Sequence, residues 1–310
     1  MARFFVSLDK GVAVGEGVKY NGCGSEVSEV VYLLLSILCS SVLAIGMRLS
    51  EGRIQSKMSM IATNYVACMI MGIGYMGIAH LIPTGDGVGP MLGMGVFNGT
   101  CYMVALVLNQ YNISRNGVVL PSVFSKTGGL LIPLVVSILL FREFPSILQI
   151  IGFVLAMTAI IMISQKQGGS GASNISKGAL FALFVGEGCA GIMAKVFREL
   201  GNPALGDHFL FVTFGVAFLL CAVVILAKGE RPGKMELMFG TMIGIPNFMS
   251  AKFQLMALET LPAVIVYPMR SAGTIVVITL AGVLFFKERL TKLQLVAVGI
   301  ILVSLILLNL

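Results

Sequence analysis

Three ionisable residues lie deep inside long apolar stretches of this 310-residue chain: Lys126, Glu187 and Arg270. Lys126 lies about ten residues into a predicted helix, and at ~1.5 Å per residue this depth is close to the middle of a membrane. A Lys or Arg at the centre of a membrane helix costs about 2.5–3.5 kcal/mol on insertion scales, and such residues commonly mark substrate or ion pathways. The three residues therefore predict a site for a charged molecule inside the membrane.

Lys126 and Arg270 predict binding of an anionic group. Arginine presents a planar fork that binds carboxylate or phosphate through two hydrogen bonds, whereas lysine acts as a point charge. Lys126 lies between Pro121 and Pro133, and a helix interrupted there would also expose backbone groups to a cavity. The alternative is that a carboxylate or carbonyl group of a neighbouring helix satisfies Lys126. We adopt the binding role and expect an anionic or zwitterionic substrate.

Glu187 is the only acidic residue deep in a predicted span, and Gly186 and Gly188 flank it. Acidic residues inside membrane proteins often take part in proton relays. Glu187 is therefore predicted to carry a coupling proton or to bind an amine of the substrate. A structural ion pair with Lys126, Lys252 or Arg270 is the alternative.

Four further polar residues are predicted to line the same site: Lys252, Asn98, Asn247 and Tyr267. Lys252 lies near the end of its predicted helix, from which a long side chain can also reach the membrane surface. Polar side chains within membrane helices also form hydrogen bonds to other helices. Both uses stay open for these residues at the level of sequence.

The composition is that of a polytopic membrane protein. Hydrophobic residues make up 57% of the chain and charged residues 11%, whereas soluble domains carry about 25% charged residues. The net charge of +7 need not indicate nucleic acid, because Lys and Arg collect in the cytoplasmic loops of membrane proteins. The sequence lacks H-E-x-x-H, G-x-S-x-G and G-x-x-x-x-G-K-[ST] motifs. We therefore expect no cofactor, metal or nucleic-acid partner, and no ATP-driven mechanism.

Ten apolar segments have about the 20 residues that cross the hydrocarbon core of a membrane. The predicted spans are residues 29–49, 58–82, 90–110, 117–141, 146–164, 177–198, 207–227, 235–258, 262–286 and 292–309.

A motif occurs twice, 145 positions apart, before the last span of each half. Phe141-Arg142-Glu143 is followed after five residues by Gln149, and Phe286-Lys287-Glu288 is followed in the same way by Gln294. A carboxylate just before a helix favours its N-terminus. Both turn glutamates are therefore expected to be structural.

The repeat divides the chain into two halves. Arg48 and Lys195 close the first helix of each half, where we expect them to be interfacial anchors. Because each half has an odd number of helices, the second must enter the membrane from the opposite side, as in many secondary transporters. The predicted parts are a polar N-terminal tail (1–27), a first five-helix repeat (28–164), a linker (165–176) and a second five-helix repeat (177–310).

The ten spans, the two-fold division and the F-[RK]-E turns resemble the drug/metabolite transporter superfamily, in its ten-helix EamA-type branch. The resemblance extends over about residues 28–310. It implies an all-α membrane protein that carries small molecules, from amino acids to sugar phosphates and nucleotide sugars. The sugar-phosphate branch holds an anion with basic residues of its fourth and ninth helices, which implies the same role for Lys126 and Arg270. The sequence around these two residues lacks the full motif of that branch.

The orientation in the membrane can be predicted from charge. Five of the 21 Lys and Arg lie within or at the ends of predicted helices and are set aside: Arg48, Lys126, Lys195, Lys252 and Arg270. Of the other sixteen, eleven are assigned to the loops after odd-numbered helices. The positive-inside rule then places these loops in the cytoplasm and both termini outside. Members of the resembled family commonly have both termini inside, so the two arguments disagree.

Together these features predict a multi-pass protein of the plasma membrane that transports a small metabolite by alternating access. It would be an exporter or an exchanger, possessing no enzymatic activity. The alternatives are a passive channel and an intramembrane enzyme without transport. Replacing Lys126 by Ala is expected to abolish uptake and to leave folded protein in the membrane.

Overall fold

The computed structural model describes residues 25–50, 52–116, 119–164, 177–286 and 292–308. The predicted linker and nearly all of the predicted N-terminal tail lie outside these ranges. The described ranges contain ten α-helices, two short 3₁₀ turns (Ile78–His80 and Pro203–Leu205) and no strand. The helices are α1 (Ser25–Ser50), α2 (Lys57–Met76), α3 (Val88–Asn116), α4 (Val119–Phe141), α5 (Ile147–Ser164), α6 (Lys177–Leu200), α7 (Gly206–Lys228), α8 (Lys234–Ala257), α9 (Ala263–Phe286) and α10 (Lys292–Leu308).

The ten helices confirm the ten predicted segments, with three differences in length. α1 begins four residues before its predicted start. α2 ends six residues before its predicted end, because Gly77 has a φ of 76° and leaves the helical conformation. α3 continues six residues beyond its predicted end, to Asn116. Pro133 lies inside α4, which is a single helix. The interruption considered for this segment therefore does not occur.

Seven of the described helices are long and apolar enough to cross a membrane, namely α1, α2, α3, α4, α6, α7 and α9. The apolar helices α5 and α10 are shorter. Large apolar side chains on the outside of the bundle are exposed, such as Leu139 at 72% and Leu226 at 80%. Such a surface suits contact with lipid rather than with water.

The packing of the helices has a two-fold pattern. α1 packs against α8 and α9, and its counterpart in the second half, α6, packs against α3 and α4. α2, α4 and α5 each contact their own counterparts, α7, α9 and α10. Such an exchange is what a two-fold relation between the first five and the last five helices requires. The fold is thus the all-α membrane bundle of two five-helix repeats that the sequence predicts.

Small residues allow close approach at equivalent places in the two halves. A Cβ atom on Gly128 of α4 would overlap the backbone of Phe184 in α6. A Cβ atom on Gly273 of α9 would lie 2.9 Å from Cδ1 of Ile37 in α1. Glycines at helix contacts let the backbones of membrane helices approach each other. The 145-residue repeat therefore preserves a packing contact as well as the turn motif.

The turn glutamate of the first half joins three parts of the bundle. Glu143 Oε1 lies 2.5 Å from Lys195 Nζ at the end of α6, and Glu143 Oε2 accepts a hydrogen bond from Ala263 N at the start of α9. Lys195 is 3% exposed and also pairs with Glu199. Glu143 thus stabilises the N-terminus of α9, whereas the sequence suggested the next helix, α5. Lys195 is a buried ion-pair partner rather than an interfacial anchor.

Replacing Glu143 by Gln should lower the free energy of unfolding by about 2 kcal/mol. Breaking a buried ion pair costs about 3–5 kcal/mol when the remaining charge has no partner, and here Glu199 still pairs with Lys195. Thermal unfolding of the purified protein in detergent measures this change. Glu259→Gln is the matched control, because Glu259 pairs with Arg198 but is 45% exposed, and an exposed pair contributes about 0–1 kcal/mol. Equal losses from both variants would contradict the structural role of Glu143.

Candidate functional site

A cavity of about 440 Å³ lies within the bundle, and nine helices, α1 to α9, contribute to its wall. Five of the seven predicted site residues line it: Lys126, Arg270, Glu187, Asn98 and Tyr267. The wall also contains residues that sequence reasoning did not place in the site, among them Ser40, Tyr65, Asn109, Ser125 and Thr274. The cavity therefore brings together polar groups from both halves of the chain.

Lys126 lies in the wall that α4 contributes, and its side chain is exposed. Within the residues that the structure describes, the Lys126 ammonium has no ion pair or hydrogen bond. No carboxylate or carbonyl group of a described neighbouring helix satisfies it, so the alternative given above does not hold for the described residues. The positive charge is thus available to a molecule in the cavity.

Arg270 lies in the wall that α9 contributes and is held by two serine hydroxyls. Its Nε donates to Ser36 Oγ at 3.0 Å, and its Nη2 donates to Ser250 Oγ at 2.9 Å. Ser250 Oγ also lies 2.6 Å from Ser40 Oγ, which faces the cavity. Among the described residues, no carboxylate pairs with Arg270. A second positive charge at the cavity therefore lacks a counter-charge from the described chain.

Glu187 of α6 accepts a hydrogen bond from Ser125 Oγ of α4 at 2.9 Å. Ser125 precedes Lys126, but in the described ranges the Glu187 carboxylate forms no ion pair with Lys126, Lys252 or Arg270. One serine hydroxyl leaves most of the acceptor positions of a carboxylate unused. Glu187 therefore adds an acidic group with free acceptors to a cavity that also contains two cations.

Tyr267 and Asn98 line the cavity and also connect helices. The Tyr267 hydroxyl donates to the Gly191 carbonyl at 2.7 Å, and Asn98 Nδ2 donates to Thr213 Oγ1 at 3.2 Å. Asn98 Oδ1 and Asn109 Oδ1 are buried without a protein donor in the described part of the chain. Asn98 and Asn109 are eleven residues apart in α3, which is about three helical turns, so they lie on the same face of the helix. This spacing could have identified Asn109 as a cavity residue from the sequence.

Lys252 and Asn247 are not part of the cavity wall. Lys252 Nζ lies 2.7 and 3.0 Å from the two carboxylate oxygens of Asp207 and 3.9 Å from the centroid of the Tyr75 ring. Asn247 Nδ2 donates to Asn64 Oδ1 at 3.2 Å. Both side chains connect α8 to neighbouring helices, so the structure does not bring them to the site where the sequence places them.

Replacing Lys252 by Met should leave the apparent affinity for the transported compound within about twofold of wild type, because Lys252 lies outside the cavity. It should lower the melting temperature, because Asp207 loses its partner and is only 33% exposed. Uptake and thermal unfolding of the same preparation measure the two effects. A large loss of affinity with unchanged stability would return Lys252 to the substrate site.

Comparisons with known proteins find a family model that matches the second half of the chain and a similar fold over most of its length. Residues 176–310 match the model of the EamA-like transporter family. An uncharacterized protein of Haemophilus influenzae is 28% identical over 171 residues, which cover 53% of this chain and 57% of that protein's length. A crystal structure of a protein has a TM-score of 0.70, with 14% identity, over 91% of this chain and 96% of the other chain. The fold that this chain shares with that structure therefore includes both halves of the chain.

Proposed function

We propose that this integral membrane protein, whose residues 176–310 form an EamA-like transporter domain, is a secondary active transporter of a small anionic or zwitterionic metabolite. The observation that carries the proposal is an interior cavity lined by two cations, Lys126 and Arg270, that lack a carboxylate partner among the described residues. An anionic group of a substrate in the cavity would supply the counter-charge that the described chain does not give these two cations.

Alternating access is the mechanism that this architecture suits. The cavity wall is shared between the two repeats, and α1 and α6 each pack mainly on helices of the opposite half. Rocking of one bundle against the other around a fixed site would expose the cavity to each side in turn. The protein would act as an exporter or exchanger, in the plasma membrane.

Glu187 is the proposed coupling residue. Its carboxylate lies at the same cavity as the two cations and has a single described partner, Ser125. Protonation would remove its negative charge and change the balance of charge in the cavity by one unit. The same carboxylate could instead bind an amine of a zwitterionic substrate. An experiment must distinguish proton coupling from substrate binding.

Replacing Glu187 by Gln should abolish accumulation driven by a pH gradient and leave exchange of internal for external compound nearly unchanged. The amide has almost the same shape but cannot take up a proton, so only the coupled step is lost. Proteoliposomes with and without a pH gradient measure both activities. Loss of exchange as well would instead assign the carboxylate to binding of a substrate amine.

A thermal-shift screen of the purified protein against amino acids, organic acids and phosphorylated sugars tests the proposed substrate class. A ligand at 100 times its Kd stabilises the folded state by about 2.7 kcal/mol, which is easily measured. Uptake of the stabilising compound into proteoliposomes should saturate and should accumulate against a gradient. Linear, non-accumulating flux would favour a passive channel, and conversion of the compound would favour an intramembrane enzyme.

A further inference from the structure

Arg270 uses one particular edge of its guanidinium to contact the protein. The Nε–H and one Nη2–H point from the same side of the group, and they donate to Ser36 Oγ and Ser250 Oγ at 3.0 and 2.9 Å. This side-on edge is one by which arginine binds the two oxygens of a carboxylate. Here two hydroxyl oxygens from different helices occupy the positions of those carboxylate oxygens. Three of the five N–H donors of the group have no described partner.

The hydroxyls are arranged so that their oxygens accept from Arg270. Ser36 Oγ donates to the Ser250 carbonyl at 3.0 Å, and Ser250 Oγ lies 3.2 Å from the Ser36 carbonyl. Each serine has one proton to donate, and a carbonyl of the other helix takes it. Ser36 and Ser250 are 0% and 2% exposed. These reciprocal bonds between α1 and α8 therefore fix two acceptors in place, and Ser40 supports them through its contact with Ser250 Oγ.

We propose that Ser36, Ser40 and Ser250, here called the serine cluster, are positioning residues that hold Arg270 for end-on binding of the substrate anion. The open Nη1–Nη2 edge receives a carboxylate or phosphate group of the transported molecule in the cavity. The inference rests on the proposed function and adds to it the atoms that bind the anion.

The neutrality of the serine cluster is central to this arrangement. Hydroxyl groups orient the guanidinium without cancelling its charge, whereas a carboxylate in their place would form an ion pair and leave little attraction for a substrate. A lysine at position 270 has no planar fork and cannot satisfy two fixed acceptors and a bidentate anion together. Orientation and retained charge therefore both depend on arginine with serine neighbours.

A double-mutant cycle tests whether the positive charge of Arg270 beside Ser250 lacks a counter-charge. The cycle can be measured without knowing the substrate. In the wild-type background, Ser250→Asp should keep or raise the melting temperature, because the new carboxylate pairs with Arg270. In the Arg270→Gln background the same change should lower it by about 5 °C or more, because an unpaired carboxylate is buried. Equal decreases in both backgrounds would overturn the proposal.

Ser304→Asp is the matched control for burial of a carboxylate. Ser304 is 0% exposed and donates to the Gly152 carbonyl between α10 and α5, and it is not in the cavity wall. It should lower the melting temperature by the same amount with Arg270 or Gln at position 270. If the effect of Ser304→Asp on the melting temperature depended on Arg270 as strongly as that of Ser250→Asp, the cycle would not be specific for Ser250. That result would contradict the proposal.

Phenylglyoxal, which bonds to both terminal nitrogens of a guanidinium, probes the open edge directly. Peptide mass spectrometry of the wild-type protein should detect modified Arg270, and Ser250→Asp should slow this modification at least about tenfold. An unmodified Arg270 in the wild type would show that the end-on edge is closed and would overturn the proposal. A reactive Arg270 in a protein without transport activity would instead contradict the proposed function alone.

Discussion

Replacing Lys126 by Ala is expected to reduce uptake into proteoliposomes about 100-fold, below detection in most assays. A hydrogen bond to a charged group contributes about 1.5–3 kcal/mol, and the upper part of this range corresponds to such a loss. Lys126 is exposed at the cavity and has no partner among the described residues. The variant should therefore fold normally, and uptake per amount of folded protein measures the effect.

Size-exclusion chromatography and thermal unfolding of Lys126→Ala provide the control for folding. Lys126→Arg is the matched variant, because it keeps the charge and should retain part of the uptake. Normal transport by Lys126→Ala would remove this residue from the site.

Replacing Arg270 by Gln should lower uptake by more than about 100-fold, since two hydrogen bonds from a charged group to the substrate are lost together. The compound that raises the melting temperature of the wild type should no longer do so for the variant. Both readouts follow from the same geometry, in which Arg270 lines the cavity without a carboxylate partner in the described part of the chain.

Arg270→Lys should restore little of this activity, because lysine keeps the charge but loses the planar fork. This variant separates the need for charge from the need for geometry. Full activity of Arg270→Lys would contradict end-on bidentate binding and leave only a requirement for positive charge at this position.

The helices were predictable because the length of an apolar run fixes where a chain can cross a membrane. The predicted helix ends were wrong where the end of the apolar run is not the end of the helix. α2 stops at Gly77, whose positive φ ends the helix inside an apolar run. α3 continues through the polar residues that follow its apolar run, as far as Asn116.

The sequence predicted how deep the site residues lie in the membrane, but not which way their side chains point. Lys126, Glu187 and Arg270 were found because charge deep in a membrane helix is rare. Lys252 and Asn247 lie in the same span of α8, but depth does not tell which side of a helix a residue occupies, and both face neighbouring helices.

The serine cluster carried no signal in the sequence. Ser36 and Ser250 are 214 residues apart, and serine is common in membrane helices where it bonds to its own backbone. Only the packing of α1 against α8 brings the two hydroxyls to one guanidinium. Sequence reasoning thus identified the charges but not the neutral groups that orient them.

In the proposed mechanism, one cavity between two inverted five-helix repeats opens to each side of the membrane in turn. Trans-stimulation measures this exchange: the compound identified by the thermal-shift screen is loaded inside proteoliposomes, and labelled compound is supplied outside. An alternating-access carrier should take up the label several-fold faster when the unlabelled compound is inside. An uptake rate that does not depend on the internal compound, and that rises linearly with the external concentration of the labelled compound, would exclude alternating access.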